Sequence, residues 1–285
     1  MNSILKEKIN ASIAFLRKAE EMALEMNPEG FWVAFSGGKD SQVVFELCKM
    51  AGVRFKAHMQ VTTVDPPQLM KFVRKHYPQV ERHLPAMNMF DLIVNKGLLP
   101  TGRIRYCCQY LKEHAGAGYV TVTGIRAEES VKRAQRKEVE QLGSKKKYRK
   151  SFSLDQFNTD TETVVKCISG KDKVVINPIF RWTATDVWDF IREYHIPYCE
   201  LYDMGYTRIG CMFCPMSSVA NKLLDRKHFP ACEKAYKRAI RKCIEQGKDY
   251  SIFDNNPDRI FNWWLSHLSQ KNYAVIEELL NPCKN

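Results

Sequence analysis

The chain lacks any apolar stretch approaching the length needed to cross a bilayer, so no membrane partnership is expected. Its first residues, Met1-Asn2-Ser3-Ile4-Leu5-Lys6-Glu7-Lys8, carry charges of both signs and lack the apolar core of a secretory signal. A cytoplasmic location is the expectation. In that reducing setting the ten cysteines are not read as a disulfide framework, and the clustered ones become candidates for metal or redox chemistry. No internal repeat is evident. The histidines, His58, His76, His83, His114, His195, His228 and His267, show no metal-ligand spacing along the chain.

What is present is enough for a sizeable core. A chain of 285 residues with 45% hydrophobic content reads as a globular α/β domain with an appendage. The formal net charge of +12 points to a polyanionic partner, although a nucleotide alone could account for a basic cleft. The most concentrated signal is Ser36-Gly37-Gly38-Lys39-Asp40-Ser41, which follows the apolar run Phe31 to Phe35 and precedes Val43 to Leu47. It reads as strand, phosphate-gripping turn and helix. Adjacent glycines let backbone N–H groups approach an anion without Cβ obstruction, and the helix N-terminus adds partial positive charge. The spacing is not that of the Walker loop, which places four residues between its first glycine and its Gly-Lys pair.

Apolar residues Leu5, Ile9, Ile13, Leu16, Ala23 and Met26 recur at helical spacing ahead of the first strand. A helix from Gln42 to Met50 stops at Ala51-Gly52, a strand runs from Arg54 to Val61, and Pro66-Pro67 opens a helix toward His76. Further strands are expected at Tyr119–Thr123 and Val174–Ile179, with a helix from Thr183 to His195. Alternating strands and helices predict a doubly wound, mainly parallel sheet. In such a sheet ligands gather at strand ends, so Gly124, Arg126, Ser130 and Arg133 are candidates for the same crevice as the glycine loop. Between Lys132 and Lys150 nine basic residues are offset only by Glu138 and Glu140, which reads as a mobile basic loop. It could engage RNA or DNA phosphates, or be a solvated surface with no dedicated partner. Beyond Cys214 the pattern turns helical, giving an expected division into 1–218, with the nucleotide site and cysteine cluster, and a helical appendage, 219–285.

Cys107-Cys108 and Cys211-Met212-Phe213-Cys214 make a plausible four-thiolate set, with Arg105, Lys112 and Arg208 near enough in sequence to favour thiolate over thiol. Zinc and an iron–sulfur cluster satisfy the sulfur count equally. Adjacent cysteines fit poorly around one small tetrahedral ion, which favours a cluster.

Two resemblances follow from these residues. Ser36 to Ser41 after an apolar strand resembles the PP-loop of ATP pyrophosphatases, which implies pyrophosphate contacts at Ser36, Gly37, Gly38, Lys39 and Ser41, with Asp40 near the phosphates and a Mg²⁺. A longer pattern is similar to the phosphoadenosine-phosphosulfate reductase family. It comprises Arg105-Tyr106-Cys107-Cys108 with Leu111-Lys112, Gly124-Ile125-Arg126 with Glu129-Ser130 and Arg133, Asn177-Pro178-Ile179 with Trp182, Ile196-Pro197-Tyr198, and Gly205-Tyr206 leading to Gly210-Cys211. The resemblance covers roughly residues 30 to 218 and implies an adenine nucleotide alpha hydrolase-like fold. It implies a [4Fe–4S] set of Cys107, Cys108, Cys211 and Cys214, as in assimilatory adenylylsulfate reductases.

Two departures bear on the reaction. The reductases carry a Glu-Cys-Gly-Leu/Ile-His motif near the C-terminus, and only Cys283 could stand in for its nucleophile here. They also usually degrade the PP-loop, whereas Lys39-Asp40-Ser41 is intact. The expectation is therefore an enzyme that cleaves ATP to AMP and pyrophosphate by adenylating an acceptor, with Lys39 and Asp40 as its catalytic pair, and that supports sulfur transfer. The alternatives are a sulfonucleotide reductase using a thioredoxin-like reductant, and a non-catalytic nucleotide or nucleic-acid binder. Acceptor, sulfur donor and oligomeric state do not follow from the sequence.

Overall fold

The computed structural model describes residues 3–113, 115–142, 150–154, 156 and 173–273. Its elements run α1 (Ser3–Met26), β1 (Phe31–Ala34), α2 (Lys39–Ala51), β2 (Phe55–Gln60), α3 (Pro67–His76), β3 (Glu81–His83), α4 (Met89–Lys96) and the single turn α5 (Tyr106–Cys108). They continue with β4 (Val120–Val122), α6 (Val131–Ala134), β5 (Val139–Leu142), β6 (Lys150–Phe152), β7 (Lys173–Ile176), α7 (Ala184–Glu193), α8 (Val219–His228), α9 (Pro230–Glu245) and α10 (Pro257–Ser266).

Among the described residues the strands form one seven-stranded sheet in the order β3-β2-β1-β4-β7-β5-β6. The neighbours from β3 to β7 pair in parallel, and β5 is antiparallel to both β7 and β6. A parallel sheet needs helical crossovers and is covered on its faces, which is why Phe31, Val33, Val120, Val122, Val174 and Ile176 are all buried. The sequence moves outward from β1 to β2 and β3 on one side and to β4 and β7 on the other. Order reverses at β1 and β4, so the loops leaving these two strands open beside each other, the usual place for a ligand crevice.

Helix α1 buries Leu5, Ile9, Ser12, Phe15, Leu16, Ala19, Met22 and Ala23 along one stripe. Its one buried hydroxyl is satisfied, because Ser12 donates to the Pro178 carbonyl at 2.8 Å and accepts from Trp182 Nε1 at 3.2 Å. Gly52 ends α2 in the left-handed conformation, as Ala51-Gly52 predicts. Thr183 caps α7 and exchanges hydrogen bonds with Asp186 in a capping box.

The chain divides into two compact units. The first comprises Met1–Gln60, Gln68–His83 and His114–Glu200 and contains the sheet; the second comprises Val61–Pro67, Leu84–Glu113 and Leu201–Asn285. This is not the linear division at residue 218. The segment around α4 shares a core with the C-terminal helices: Phe90 meets Tyr236 edge to face at 5.2 Å, and Trp264 Nε1 donates to the Pro100 carbonyl at 2.6 Å. All four clustered cysteines therefore belong to the second unit, with the helices, and the glycine loop to the first.

The basic stretch differs from the expected mobile loop over its described part. Residues 131–142 form α6 and β5, with Val139 wholly buried against β7. Sequence-adjacent charge is neutralised within the fold: Arg136 pairs with Glu140, and Arg181 reaches Glu138 at 2.7 Å. Residues 143–149, which carry Lys145, Lys146, Lys147 and Arg149, lie outside the described residues, as does Cys283.

Candidate functional site

The glycine loop is shaped by hydrogen bonds among its own members. Ser41 Oγ donates to the Gly38 carbonyl at 2.8 Å and stands 3.2 Å from both the Ser36 amide and the Ser36 hydroxyl. Gly37 has φ of +73°, and a Cβ there would stand 2.7 Å from Leu69 Cδ1 and from Val73 Cγ2 of α3. Only glycine meets both demands. Gly38 is the N-cap of α2 without a capping side chain, so the first-turn amides of α2 are not capped by a side chain from that position. Lys39 Nζ lies 3.2 Å from Asp40 Oδ2, and Arg126 Nε donates to Asp40 Oδ1 at 2.7 Å. One carboxylate is thus held between two cations at the ends of β1 and β4.

Gly124 permits this approach: a Cβ there would fall 2.8 Å from both C and O of Asp40. Arg126 is buried, and its guanidinium also reaches Glu128 at 2.8 Å. Ser130 and Arg133 serve their own turn. The Ser130 hydroxyl caps α6 by accepting from the Arg133 amide, and Arg133 pairs with Glu129. The structure therefore brings together Ser36 to Ser41, Gly124 and Arg126, and gives Ser130 and Arg133 local partners.

In the second unit, the Cys211–Cys214 turn is bent through Phe213, whose φ of +55° lies in the left-handed region that a bulky side chain disfavours. Buried Asp225 holds it there, accepting from the Phe213 amide at 2.7 Å and from the Tyr206 hydroxyl at 3.0 Å. The Met212 amide donates to the Val64 carbonyl at 2.8 Å, and Cys211 Sγ sits 3.4 Å from Thr62 Oγ1. Cys107 and Cys108 share a hydrogen bond that draws Cys108 well below the ordinary thiol value and pushes Cys107 up; Arg105 and Lys112 add to the effect on Cys108. Cys107 also feels Cys211 and Cys214, and the Cys211 sulfur is the main cause of a raised Lys112. Burial raises Cys214. Lys222, almost wholly buried, is lowered to about 8, chiefly by burial against the opposing pull of Cys214 and Asp225. The four thiols act on one another: Cys107 feels Cys108, Cys211 and Cys214, and Cys214 feels Cys211 and Cys108.

Residues 30–217 match the family model of the phosphoadenosine phosphosulfate reductase domain. The chain belongs to this family. An adenosine 5′-phosphosulfate reductase of Allochromatium vinosum is 30% identical over 64% of this chain and 66% of its own length. A probable FAD synthase of Schizosaccharomyces pombe is 27% identical over 80% of this chain and 75% of its own. An uncharacterised protein of Methanocaldococcus jannaschii is 25% identical over 75% of this chain, which spans 42% of that protein. A solved FMN adenylyltransferase of Candida glabrata superposes with a TM-score of 0.46 at 15% identity, covering 73% of this chain and 62% of that one.

Sequence reasoning missed Asp225 and Lys222 in this family member. Both sit in a helical stretch whose periodicity marks them only as polar positions, and nothing local signals that they turn inward. Replacing Asp225 with Ala leaves the Phe213 amide and Tyr206 hydroxyl without their buried acceptor, so urea denaturation is expected to show a loss of about 3 kcal/mol. An unchanged midpoint would show that the turn is held without it. Iodoacetamide labelling of the metal-free protein should modify Cys108 first and persist at pH values where ordinary thiols are protonated, because a lowered value keeps the thiolate populated there. Wholly buried Cys48, which burial pushes up, should stay unmodified in peptide mapping.

Proposed function

We propose that this phosphoadenosine phosphosulfate reductase family member binds ATP, cleaves it to AMP and pyrophosphate by adenylating an acceptor, and supports sulfur transfer with an iron–sulfur centre. The carrying observation is the intact Lys39-Asp40-Ser41 at the head of α2, with Lys39 and Arg126 flanking Asp40. A pyrophosphate leaving group gathers negative charge as the α–β bond breaks. Fixed amide dipoles at a helix N-terminus and a buried lysine stabilise that charge without reorganising. Lys39 is 5% exposed and its chain is therefore already ordered for this task. Asp40 is the carboxylate that would hold a Mg²⁺, whose charge offsets that of the phosphates. Arg126, which is buried beside the loop, would orient the nucleotide by charge-assisted hydrogen bonds.

Cys107, Cys108, Cys211 and Cys214 would hold a [4Fe–4S] cluster, which supplies electrostatic stabilisation when all four bind and an open iron for sulfur when three do. The adjacency of Cys107 and Cys108 supports a cluster over a single zinc, and Arg105, Lys112 and Lys222 provide cations for an anionic centre. Adenylation makes an acceptor oxygen a leaving group, which is what replacement of oxygen by sulfur requires. A nucleic-acid acceptor would draw on the basic 132–150 segment, although Arg133 and Arg136 are engaged by Glu129 and Glu140. The FAD synthase relative makes FMN a second acceptor worth testing.

A sulfonucleotide reductase remains the second reading, favoured by the cysteine set and by the adenosine 5′-phosphosulfate reductase relative. Cys283 or an external thiol would then be the nucleophile. Anaerobically purified protein should be assayed for pyrophosphate from ATP with RNA, DNA or FMN, and for sulfite from adenylylsulfate and its 3′-phosphorylated form with thioredoxin. Pyrophosphate release that falls on the order of 100-fold in Lys39→Ala is the expected outcome. Sulfite from a sulfonucleotide, with no pyrophosphate from ATP, would overturn the adenylation reading.

A further inference from the structure

A cluster outside both sites lies on the outer strands of the sheet. Parallel pairing sets His58 of β2 opposite Glu81 of β3, and Gln60 opposite His83. Because side chains alternate, Glu81 and His83 share one face of β3, and it is the face on which His58 stands. His58 Nδ1 lies 3.0 Å from His83 Nε2 and 3.3 Å from Glu81 Oε2, and His83 Nε2 lies 4.0 Å from the same oxygen. All three candidate donor atoms fall within 4.8 Å of one another.

We propose that His58, Glu81 and His83 form a zinc site that ties the edge strand β3 to β2, with the fourth coordination position open to water. Two nitrogen or oxygen ligands at about 2.0–2.1 Å from one tetrahedral ion stand about 3.3 Å apart. The three separations scatter around that edge length. The donor set, two imidazoles and a carboxylate, is the borderline nitrogen and oxygen chemistry that zinc takes with three protein ligands and a solvent position.

The orientation of His58 is fixed before any ion arrives. Its ring is 4% exposed and stacks on Trp32 with centroids 3.4 Å apart and planes 11° from parallel. Its Nε2 is buried with no hydrogen-bond partner. With Nε2 sealed away from water, only the other ring nitrogen is left to bind an ion. That other nitrogen is the one facing His83 and Glu81. These two are half-buried and exposed, so an ion has an entry path from solvent. Strand β3 is only three residues long and, among the described residues, pairs with a strand on one side alone. A bridge at its first and last residues would cross-link this short edge strand to β2.

The test must separate this site from the cysteines, whose thiolates are themselves zinc ligands in kind. Purified protein is dialysed against Zn²⁺, its zinc counted, and its coordination shell read by X-ray absorption. The wild type is expected to hold one zinc more than His83→Ala, in a nitrogen and oxygen shell, and Cys211→Ser is expected to retain that ion. Glu81→Gln, a substitution at an exposed position, should weaken binding at least about tenfold, and zinc should raise the melting temperature of the wild type but not of His83→Ala. Equal zinc content in wild type, His83→Ala and Glu81→Gln, or a shell of sulfur alone, would overturn the proposal.

Discussion

Asp40 stands where two strands end, and its carboxylate is the joint on which the nucleotide crevice depends. Lys39 approaches it from its own helix, and Arg126 from beyond β4. Two buried cations brought this near each other would repel strongly in a medium of low dielectric, and burial alone would penalise each. The intervening carboxylate offsets part of both costs. It does so only because Gly124 leaves no Cβ to separate the two segments, whose backbones meet at contact distance. The loop, the strand end and the arginine are thus one electrostatic unit assembled by a close backbone approach. A phosphate group arriving there meets cations that are already desolvated and positioned, which is the condition under which electrostatic stabilisation is largest.

The cysteine turn illustrates a second kind of dependence. Phe213 occupies a backbone conformation that glycine would adopt more readily, and its side chain is wholly buried among aromatic rings, with Phe261 at 5.3 Å and Tyr236 at 5.9 Å. The strain is offset by this packing and by Asp225. A buried carboxylate raised by desolvation is itself an unfavourable group, and it is retained because it accepts from both Phe213 and Tyr206. The Cys211–Cys214 turn is therefore held by helix α8, which contributes no sulfur.

Legibility followed chain distance. Ser36 to Ser41 declares itself because six consecutive residues serve one turn, and the apolar runs beside it announce β1 and α2. Arg126 could be anticipated because it follows a strand end in a parallel sheet. By contrast, His58 and His83 are separated by 25 residues and meet only through the register of β2 with β3. No spacing rule along the chain reveals such a pair. The stretch around β5 misled for a related reason: its charges look solvated in sequence, yet Glu138 and Glu140 are buried with arginine partners, and Val139 supplies the anchor to β7. The assignment of Cys107 and Cys108 to the helical unit was equally hidden, because it rests on contacts made more than a hundred residues away.

The cysteine pair also links charge to loading. Adjacent thiols that share a hydrogen bond lose one proton readily and hold the second, since a second thiolate would face the first at close range in a partly buried place. A cation centre reverses this, because ligation replaces the remaining protons and makes each thiolate a stabilising neighbour. Arg105 and Lys112 favour the first ionisation, and Lys222, held near the edge of losing its own charge by burial, is drawn back toward the charged form by Cys214 and Asp225. Thiolates fixed by a bound centre would favour every nearby cation, Arg105, Lys112 and Lys222 among them.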